Sequence, residues 1–343
     1  MYSNHAPAFT PSVCTLYADA LGAFVNERGL EMPVATPVAV AVARSPRLCG
    51  AAYSTLMSSA SRQLGDNALG LRFGTRVGGA GFGMLGIAAA TAPTLREAIR
   101  HLTQLESITS TLGRAMVRRH GARVYLSWHP AQALPPSVVE GILSGWVSFG
   151  RYLLGERVDV AQVSLRHRRI APQEVYDSVF DCPVRFEACC YGVTIAADLL
   201  DARPRFDDPR LNDAIGDWLR HCAFSAMREA LPVTRAINTL FQSALPLAEA
   251  DENTVAAMLG YSRRTLQRML RSEATSFRQI LDAARAQHAV MALMRGDMAL
   301  SDVAADIGFD EQSSLCRAFR KWTGYAPLAF KRRVAGVFTP LRT

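Results

Sequence analysis

Hydrophobic positions change their period along this chain, and the change divides it. In the first two thirds, helical and strand-like spacings occur in blocks. TLREAIRHLTQLESI, starting at Thr94, sets Leu95, Ile99, Leu102 and Leu105 on one side of a helix. Helical spacing also fits the stretch through Leu16, Ala20, Leu21 and Phe24, the stretch from Arg47 to Leu64, Ser137 to Leu154, and PQEVYDSVFD. RAMVRRH, RVYLSWHP and VAQVSLRHR read as strands, and VRFEACCYGVTIAA as one or two more. Blocks without strict βαβ alternation predict an α+β domain. A helix from Leu211 to Glu229, with a stripe of Ile215, Leu219 and Cys222, closes it. The Pro- and charge-rich DARPRFDDPR before that helix looks like a linker, but the stripe places the junction near Leu231-Pro232. The expected domains are therefore 1–231 and 232–343.

The second domain shows only the helical period, and it states one unit twice. VAAMLGYS at 255–262 returns as VAADIGFD at 303–310. Leu266, Arg268, Leu270 and Arg271 then return as Leu315, Arg317, Phe319 and Arg320, with one extra residue in the second copy. In the first copy Asp251 is expected to cap a short helix, Gly260 to end it in a left-handed turn, and Ser262 to cap the next helix. Ser301, Gly308 and Asp310 are expected to take those roles in the second. Helix, glycine turn and helix, with small Ala256 or Ala304 at the crossing, make a helix-turn-helix. The motifs fall at about 251–272 and 301–322. Between them, Ser276 is expected to cap a single helix running to Arg295, on the order of 28 Å long at ~1.5 Å per residue. That length is close to the ~34 Å between successive major grooves on one side of a duplex.

On a helical wheel Leu266, Met269 and Leu270 face inward, and Arg264, Arg268 and Arg271 outward. The second copy puts Leu315, Ala318, Phe319 and Trp322 inward, and Ser313, Arg317 and Arg320 outward. One basic outer face is ordinarily a solvated one. Two matched faces behind two matched turns point to the major groove of DNA.

Charge agrees with that location. The formal net charge of the 343 residues is +8, and 232–343 holds 15 basic against 10 acidic residues, compared with 23 against 20 before it. Of the 38 basic residues, 36 are arginine and only Lys321 and Lys331 are lysine. Seven cysteines show no paired spacing and read as reduced and structural, with a thiol-sensor role for Cys189 and Cys190 as a minor alternative. His101, His129 and His167 lack ligand spacing, so neither a metal nor a cofactor is expected. No apolar run approaches a membrane span and no signal pattern opens the chain, so a cytoplasmic, nucleoid-associated protein is expected.

GFGMLG, with Gly81, Gly83 and Gly86, satisfies the G-x-G-x-x-G spacing of dinucleotide-binding enzymes. Its context does not fit: the preceding RFGTRVGGA is polar and glycine-rich, and Pro93 interrupts the stretch on the other side within two turns. Close backbone packing around the glycines is the expected role. With no triad, paired carboxylates or metal cluster, no catalytic residue is assigned and the chain reads as non-enzymatic.

The stretch from about Pro232 to Arg333 resembles the DNA-binding domain of the AraC/XylS family of bacterial transcription regulators. VAAMLGYSRRTLQRML, Arg285 followed by Ala289, and IGFDEQSSLCRAFRKWTGYAPLAFKRR carry the resemblance. It implies an all-α domain with two helix-turn-helix motifs joined by a linker helix, contacting consecutive major grooves of double-stranded promoter DNA. Positions matching the family's base contacts are Arg264, Gln267 and Arg268, then Ser313, Ser314 and Arg317; Arg271 and Arg320, a turn further out, suit phosphate. Leu315, where an aromatic is common, and Cys316, where a small hydroxyl residue is common, depart from the family pattern. GFGMLGIAAATAPTLREAIRHL, PQEVYDSVFDCPVRF and DDPRL are similar to the N-terminal effector domain of the subgroup that includes ornithine-utilisation and mycobacterial virulence regulators. That resemblance implies small-molecule sensing, homodimerisation or both, without fixing any ligand-binding residue. Family habit favours an activator working with RNA polymerase. Two alternatives stand: a constitutive regulator whose first domain only dimerises, and an enzyme using Gly81, Gly83 and Gly86.

Overall fold

The computed structural model describes residues 11–30, 47–155, 158–216, 232–243, 245–295 and 298–338. In chain order the elements are β1 (Ser12–Cys14), α1 (Thr15–Asn26), β2 (Arg47–Cys49), α2 (Gly50–Leu64), α3 (Leu69–Gly81), α4 (Gly83–Ala90) and α5 (Leu95–Gln104). They continue as β3 (Gly113–His120), β4 (Arg123–Pro130), α6 (Pro136–Leu154), β5 (Val160–Ser164), α7 (Gln173–Phe180), β6 (Val184–Arg185) and β7 (Tyr191–Ala196). The last seven are α8 (Pro232–Ser243), α9 (Glu252–Met258), α10 (Arg263–Ser272), α11 (Phe277–Arg295), α12 (Leu300–Asp306), α13 (Gln312–Thr323) and α14 (Pro327–Phe338). The α+β reading of the first part and the all-α reading of the second both hold. One local expectation changes: Arg47–Cys49 is not helical but pairs with β1, and the helix starts at Gly50.

Contacts gather the chain into two compact units, and these do not follow chain order. Residues 1–81 and 109–202 belong to the first, and residues 82–108 and 203–340 to the second. Helix α4 explains the crossing. All eight of its residues are buried, and Met84, Leu85, Ile87 and Ala88 share a core with Leu211, Ile215, Phe319, Trp322 and Phe330. The expected helix from Leu211 is described as far as residue 216; Leu219, Cys222, Glu229 and the junction at Leu231 lie outside the described residues.

In the first unit five strands pair in the order β3-β4-β7-β5-β6, antiparallel except for β5 with β6. Val124, Trp128, Val163, Val193 and Ile195 form the buried face, and α6 packs on β7. Helices α3 and α6 cross through glycines. A Cβ on Gly70 would lie 1.9 Å from the Ser137 carbonyl oxygen, and one on Gly74 would lie 2.3 Å from that of Gly141. Such approach needs small residues one turn apart on both helices, which LGLRFG and GILSG supply. The stretch before GFGMLG is therefore a helix, and the strand that a dinucleotide fold needs is missing at that point. Gly83, the first residue of α4, sits in the left-handed region at φ +55°, and Gly86 lies inside the buried α4. Among the described residues no helix is long and apolar enough to cross a membrane.

Candidate nucleic-acid interface

The first motif forms as its residues dictate. The Asp251 carboxylate accepts the Asn253 and Thr254 amides at 2.8 and 3.2 Å, which caps α9. The Thr254 hydroxyl and these amides hold its carboxyl below the usual carboxylate range. Gly260, at φ +73°, turns the chain while the Tyr261 amide bonds back to the Ala256 carbonyl at 2.8 Å. The Ser262 hydroxyl then accepts the Thr265 amide at 3.1 Å and starts α10.

The second motif repeats the turn but not the caps. Gly308 sits at φ +78°, and the Phe309 amide reaches the Ala304 carbonyl at 2.9 Å. Neither Ser301 nor Asp310 caps, contrary to expectation. Ala299 occupies the N-cap of α12 and Glu311 that of α13, and neither side chain bonds the helix end. Ser301 lies inside α12 with its hydroxyl on Asp302, and the extra residue of the second copy moves the cap from Asp310 to Glu311. The Glu311 carboxylate accepts the Ser313 hydroxyl at 2.9 Å.

Each motif has its own core, and α11 feeds both. Phe277, Ile280 and Leu281 pack with Val255, Ala256, Leu266 and Leu270, and with Val233 and Ile237 of α8. Ala286, Ala289, Val290, Ala292 and Leu293 pack with Val303, Ile307, Leu315, Phe319 and Trp322. Ser276 caps α11 by accepting the Gln279 amide at 3.3 Å. Arg285, between the two sets, stands over the Phe309 ring at 5.2 Å and donates to the Gly308 carbonyl at 3.4 Å. Burial lowers its pKa, and Asp282 opposes that. Buried Glu273, just past α10, accepts the Val233 and Thr234 amides at 3.0 and 2.9 Å and the Thr234 hydroxyl at 2.5 Å. One carboxylate thus satisfies the first turn of α8.

The outer faces of α10 and α13 carry the expected side chains. Arg264, Arg268 and Arg271 are exposed on α10, and Ser313, Arg317 and Arg320 on α13, with Gln267 and Ser314 half-buried. The guanidinium groups of Arg264, Arg268, Arg271 and Arg320 make no hydrogen bond or ion pair with a described residue. Arg317 bonds only the Ser314 hydroxyl, at 3.0 Å. Gln267 differs: it donates to Glu252 at 3.0 Å, and Arg263 pairs with the same carboxylate at 2.7 Å. Glu252 lies outside both repeated blocks, and the wheel of α10 alone could not find it.

A polar clamp that sequence reading missed lies behind α13. The Asn212 side-chain amide donates to the Ala88 carbonyl at 2.7 Å, and the Asp208 amide to the Thr91 carbonyl at 3.2 Å. The Asp208 carboxylate pairs with Arg333 at 2.5 Å and accepts the Tyr325 hydroxyl at 3.3 Å. Arg210 donates to the Gly324 carbonyl at 3.2 Å and, like Arg333, stands 5.0 Å from the Tyr325 ring. The supposed linker DDPR therefore ties α4 to the turn between α13 and α14.

A buried ionisable cluster lies among the described residues of the first unit. Glu140 accepts the Tyr176 hydroxyl, and His167 Nε2 lies 3.8 Å from its Oε1. Glu140 Oε2 and His167 Nε2 are buried without hydrogen-bond partners. Burial pushes the Glu140 carboxyl up to about 8, with the Tyr176 bond opposing, and pushes the His167 imidazole down. No group of three or more His, Cys, Asp or Glu suited to a metal occurs among the described residues.

Two helix-turn-helix motifs behind an α+β domain define a DNA-binding transcription regulator. The model for the arabinose-binding N-terminal domain of the AraC transcription regulator matches residues 36–204, and a helix-turn-helix domain model matches 255–333. The chain belongs to the AraC family. It is 27% identical over 333 residues to the ornithine utilization regulator of Pseudomonas aeruginosa, covering 92% of this chain and 95% of that one. It is 23% identical over 286 residues to the transcriptional regulator VirS of Mycobacterium tuberculosis, covering 82% and 83%. The crystal structure of the regulator CdpR from Pseudomonas aeruginosa aligns with 92% of this chain and 98% of its own, at 21% identity and a TM-score of 0.47. These relatives are regulators, not enzymes.

Proposed function

We propose that residues 232–343 read two adjacent major grooves of promoter DNA under the control of a small molecule held by residues 1–231, and that the outcome is activation through RNA polymerase. The observation that carries the DNA reading is the pair of exposed arginine faces on α10 and α13, whose guanidinium groups meet no described carboxylate. In this reading Arg264 and Arg268 take base edges of the first groove, guanine being the best match to a guanidinium fork. Arg317, with Ser313 and Ser314, takes the second. Arg271 and Arg320 hold phosphates. Gln267 reaches a base only by leaving Glu252, so its share is smaller than that of Arg268.

Control is supported by the shared core. Helices α4 and α5 fall within the stretch matched by the N-terminal family model, yet α4 shares a core with the second motif and its end is bonded by Asn212 and Asp208. An effector acts only if it binds two states with different affinity. A shift of α4 that breaks the Asp208 and Asn212 bonds would give two such states. That physical link favours a controlled regulator over one whose first domain only makes a homodimer.

The test starts from binding sites mapped across the genome. On a mapped site, Arg268→Ala loses about 1–3 kcal/mol of discrimination at one base pair, whereas Arg320→Ala weakens cognate and scrambled duplexes alike. Asp208→Ala leaves the preferred sequence unchanged and flattens the promoter's response to the effector. Equal losses on both duplexes from both arginine variants would reject the groove assignment.

A further inference from the structure

The sheet of the first unit has a second face, opposite its buried one, that the functions assigned so far leave unused. Strand register places Arg114, Met116, Arg118 and His120 of β3 on it, beside Arg123, Tyr125, Ser127 and His129 of β4. It continues through Gly192, Thr194 and Ala196 of β7 and Gln162 and Ser164 of β5 to Arg185 of β6. Four arginines and two histidines thus share one face with no Asp or Glu at any position on it. All six are exposed. The guanidinium groups of the four arginines make no hydrogen bond or ion pair with a described residue, so nothing internal explains their charge.

We propose that this face is a second, sequence-independent contact for the sugar-phosphate backbone of duplex DNA. Its chemistry selects that partner over an acidic protein. Guanidinium forks match phosphate oxygens, and the hydroxyl and amide groups of Ser127, Ser164 and Gln162 among them are the neutral donors that phosphates also accept. A protein partner of comparable strength would need a desolvated apolar or aromatic anchor at its centre. Here the large apolar side chains, Met116 and Tyr125, are 39% and 43% exposed, on β3 and β4 at one side of the sheet. Four residues of β3 separate Arg114 from Arg118 by about 14 Å, and four strand steps separate Arg118 from Arg185 by about 19 Å. A patch of that size spans a groove of ~12 Å with the phosphates at its edges. The proposal rests on the DNA-binding reading above. A chain already held on a duplex meets further phosphates at high effective concentration, so a patch too weak to bind alone still contributes.

The experiment uses the full chain and a random-sequence duplex of about 40 base pairs, monitored by fluorescence anisotropy over a range of NaCl concentrations. Replacing Arg114, Arg118, Arg123 and Arg185 together by Gln lowers the slope of log affinity against log salt by about 3–4, at ~0.9 per lost phosphate contact. Between about 50 and 200 mM salt, the wild type therefore loses roughly 100-fold more affinity than the variant. The thermal transition stays in place. If the fourfold variant does not fold, Arg118→Gln with Arg123→Gln gives half the drop. An unchanged slope in a folded variant overturns the proposal. If the same variant then loses retention on poly-glutamate, the face belongs to an acidic protein instead. A control with Arg268→Ala and Arg317→Ala, titrated on a mapped site, separates the two readings: should it prefer that site over the random duplex as the wild type does, the groove assignment fails, whatever the sheet variant shows.

Discussion

The two glycine turns offer a test in which each motif serves as the other's control. Gly260→Ala and Gly308→Ala ask the same of the backbone, because both glycines lie in the left-handed region, at φ +73° and +78°. That conformation costs an alanine about 1–2 kcal/mol. The surroundings differ. A Cβ on Gly260 meets nothing within 4 Å, whereas one on Gly308 lies 2.7 Å from an Arg285 nitrogen, 2.9 Å from Ala248 Cα and 3.1 Å from the Leu247 carbonyl oxygen. The arginine end can swing away, at the loss of its bond to the Gly308 carbonyl and its place over Phe309. The two backbone atoms cannot. Overpacking of this kind adds about 1–3 kcal/mol, giving about 2–5 kcal/mol for Gly308→Ala against about 1–2 for Gly260→Ala. Each kcal/mol lowers the midpoint of a unit this size by about 2–4 °C, which calorimetry resolves. Arg285→Ala combined with Gly308→Ala recovers part of the loss but not all of it, since one of three overlaps is removed. Equal destabilisation at the two glycines would refute the packing argument and leave backbone strain as the whole effect.

Other perturbations read other parts of the fold. Glu273→Ala strands the Val233 and Thr234 amides and costs about 2–4 kcal/mol in urea unfolding, with Glu273→Gln losing less; a neutral result would remove the cap from the account of α8. Glu140, with its carboxyl pushed up to about 8, keeps a proton when folded that the unfolded chain releases above its usual value of 4.5. Its contribution to stability therefore falls as pH rises across that window, by about 1.4 kcal/mol per unit. His167, lowered from 6.5, acts in the opposite sense below that pH, because the unfolded chain then binds the extra proton. The net fall is steepest between about 6.5 and 8, and Glu140→Gln abolishes it. A wild-type profile flat from 6.5 to 8 would contradict the buried acid.

Features legible in the sequence are those that local physics decides. The glycine turns, the Asp251 and Ser262 caps and the inward stripes of α10 and α13 are set by residues within a turn or two of each other, so a periodic reading finds them. The Asp310 cap failed for a local reason too: one inserted residue moved the N-cap to Glu311, where a side chain bonds Ser313 instead of the helix end, while the Ser301 cap failed because that helix starts two residues earlier, behind Ala299. Long-range pairs stayed hidden. Asp208 meets Tyr325 across 117 positions and Asn212 meets Ala88 across 124, and a charged, Pro-containing segment gives no sign of such partners. Likewise α4 reads as part of the first domain, and only three-dimensional packing places it beside Phe319 and Trp322. Glu140 and Tyr176 sit on ordinary helix stripes, and their meeting depends on how α6 and α7 pack.

Because α11 roots one end in each core, it keeps phase as well as distance. Adding a residue in its middle would advance everything beyond by ~1.5 Å but rotate it by ~100°, which in the proposed reading turns Arg317 away from a duplex held by Arg268. Operators for this protein should therefore forgive altered letters more readily than altered spacing between their two halves, since the ruler is a rigid screw and not a cord.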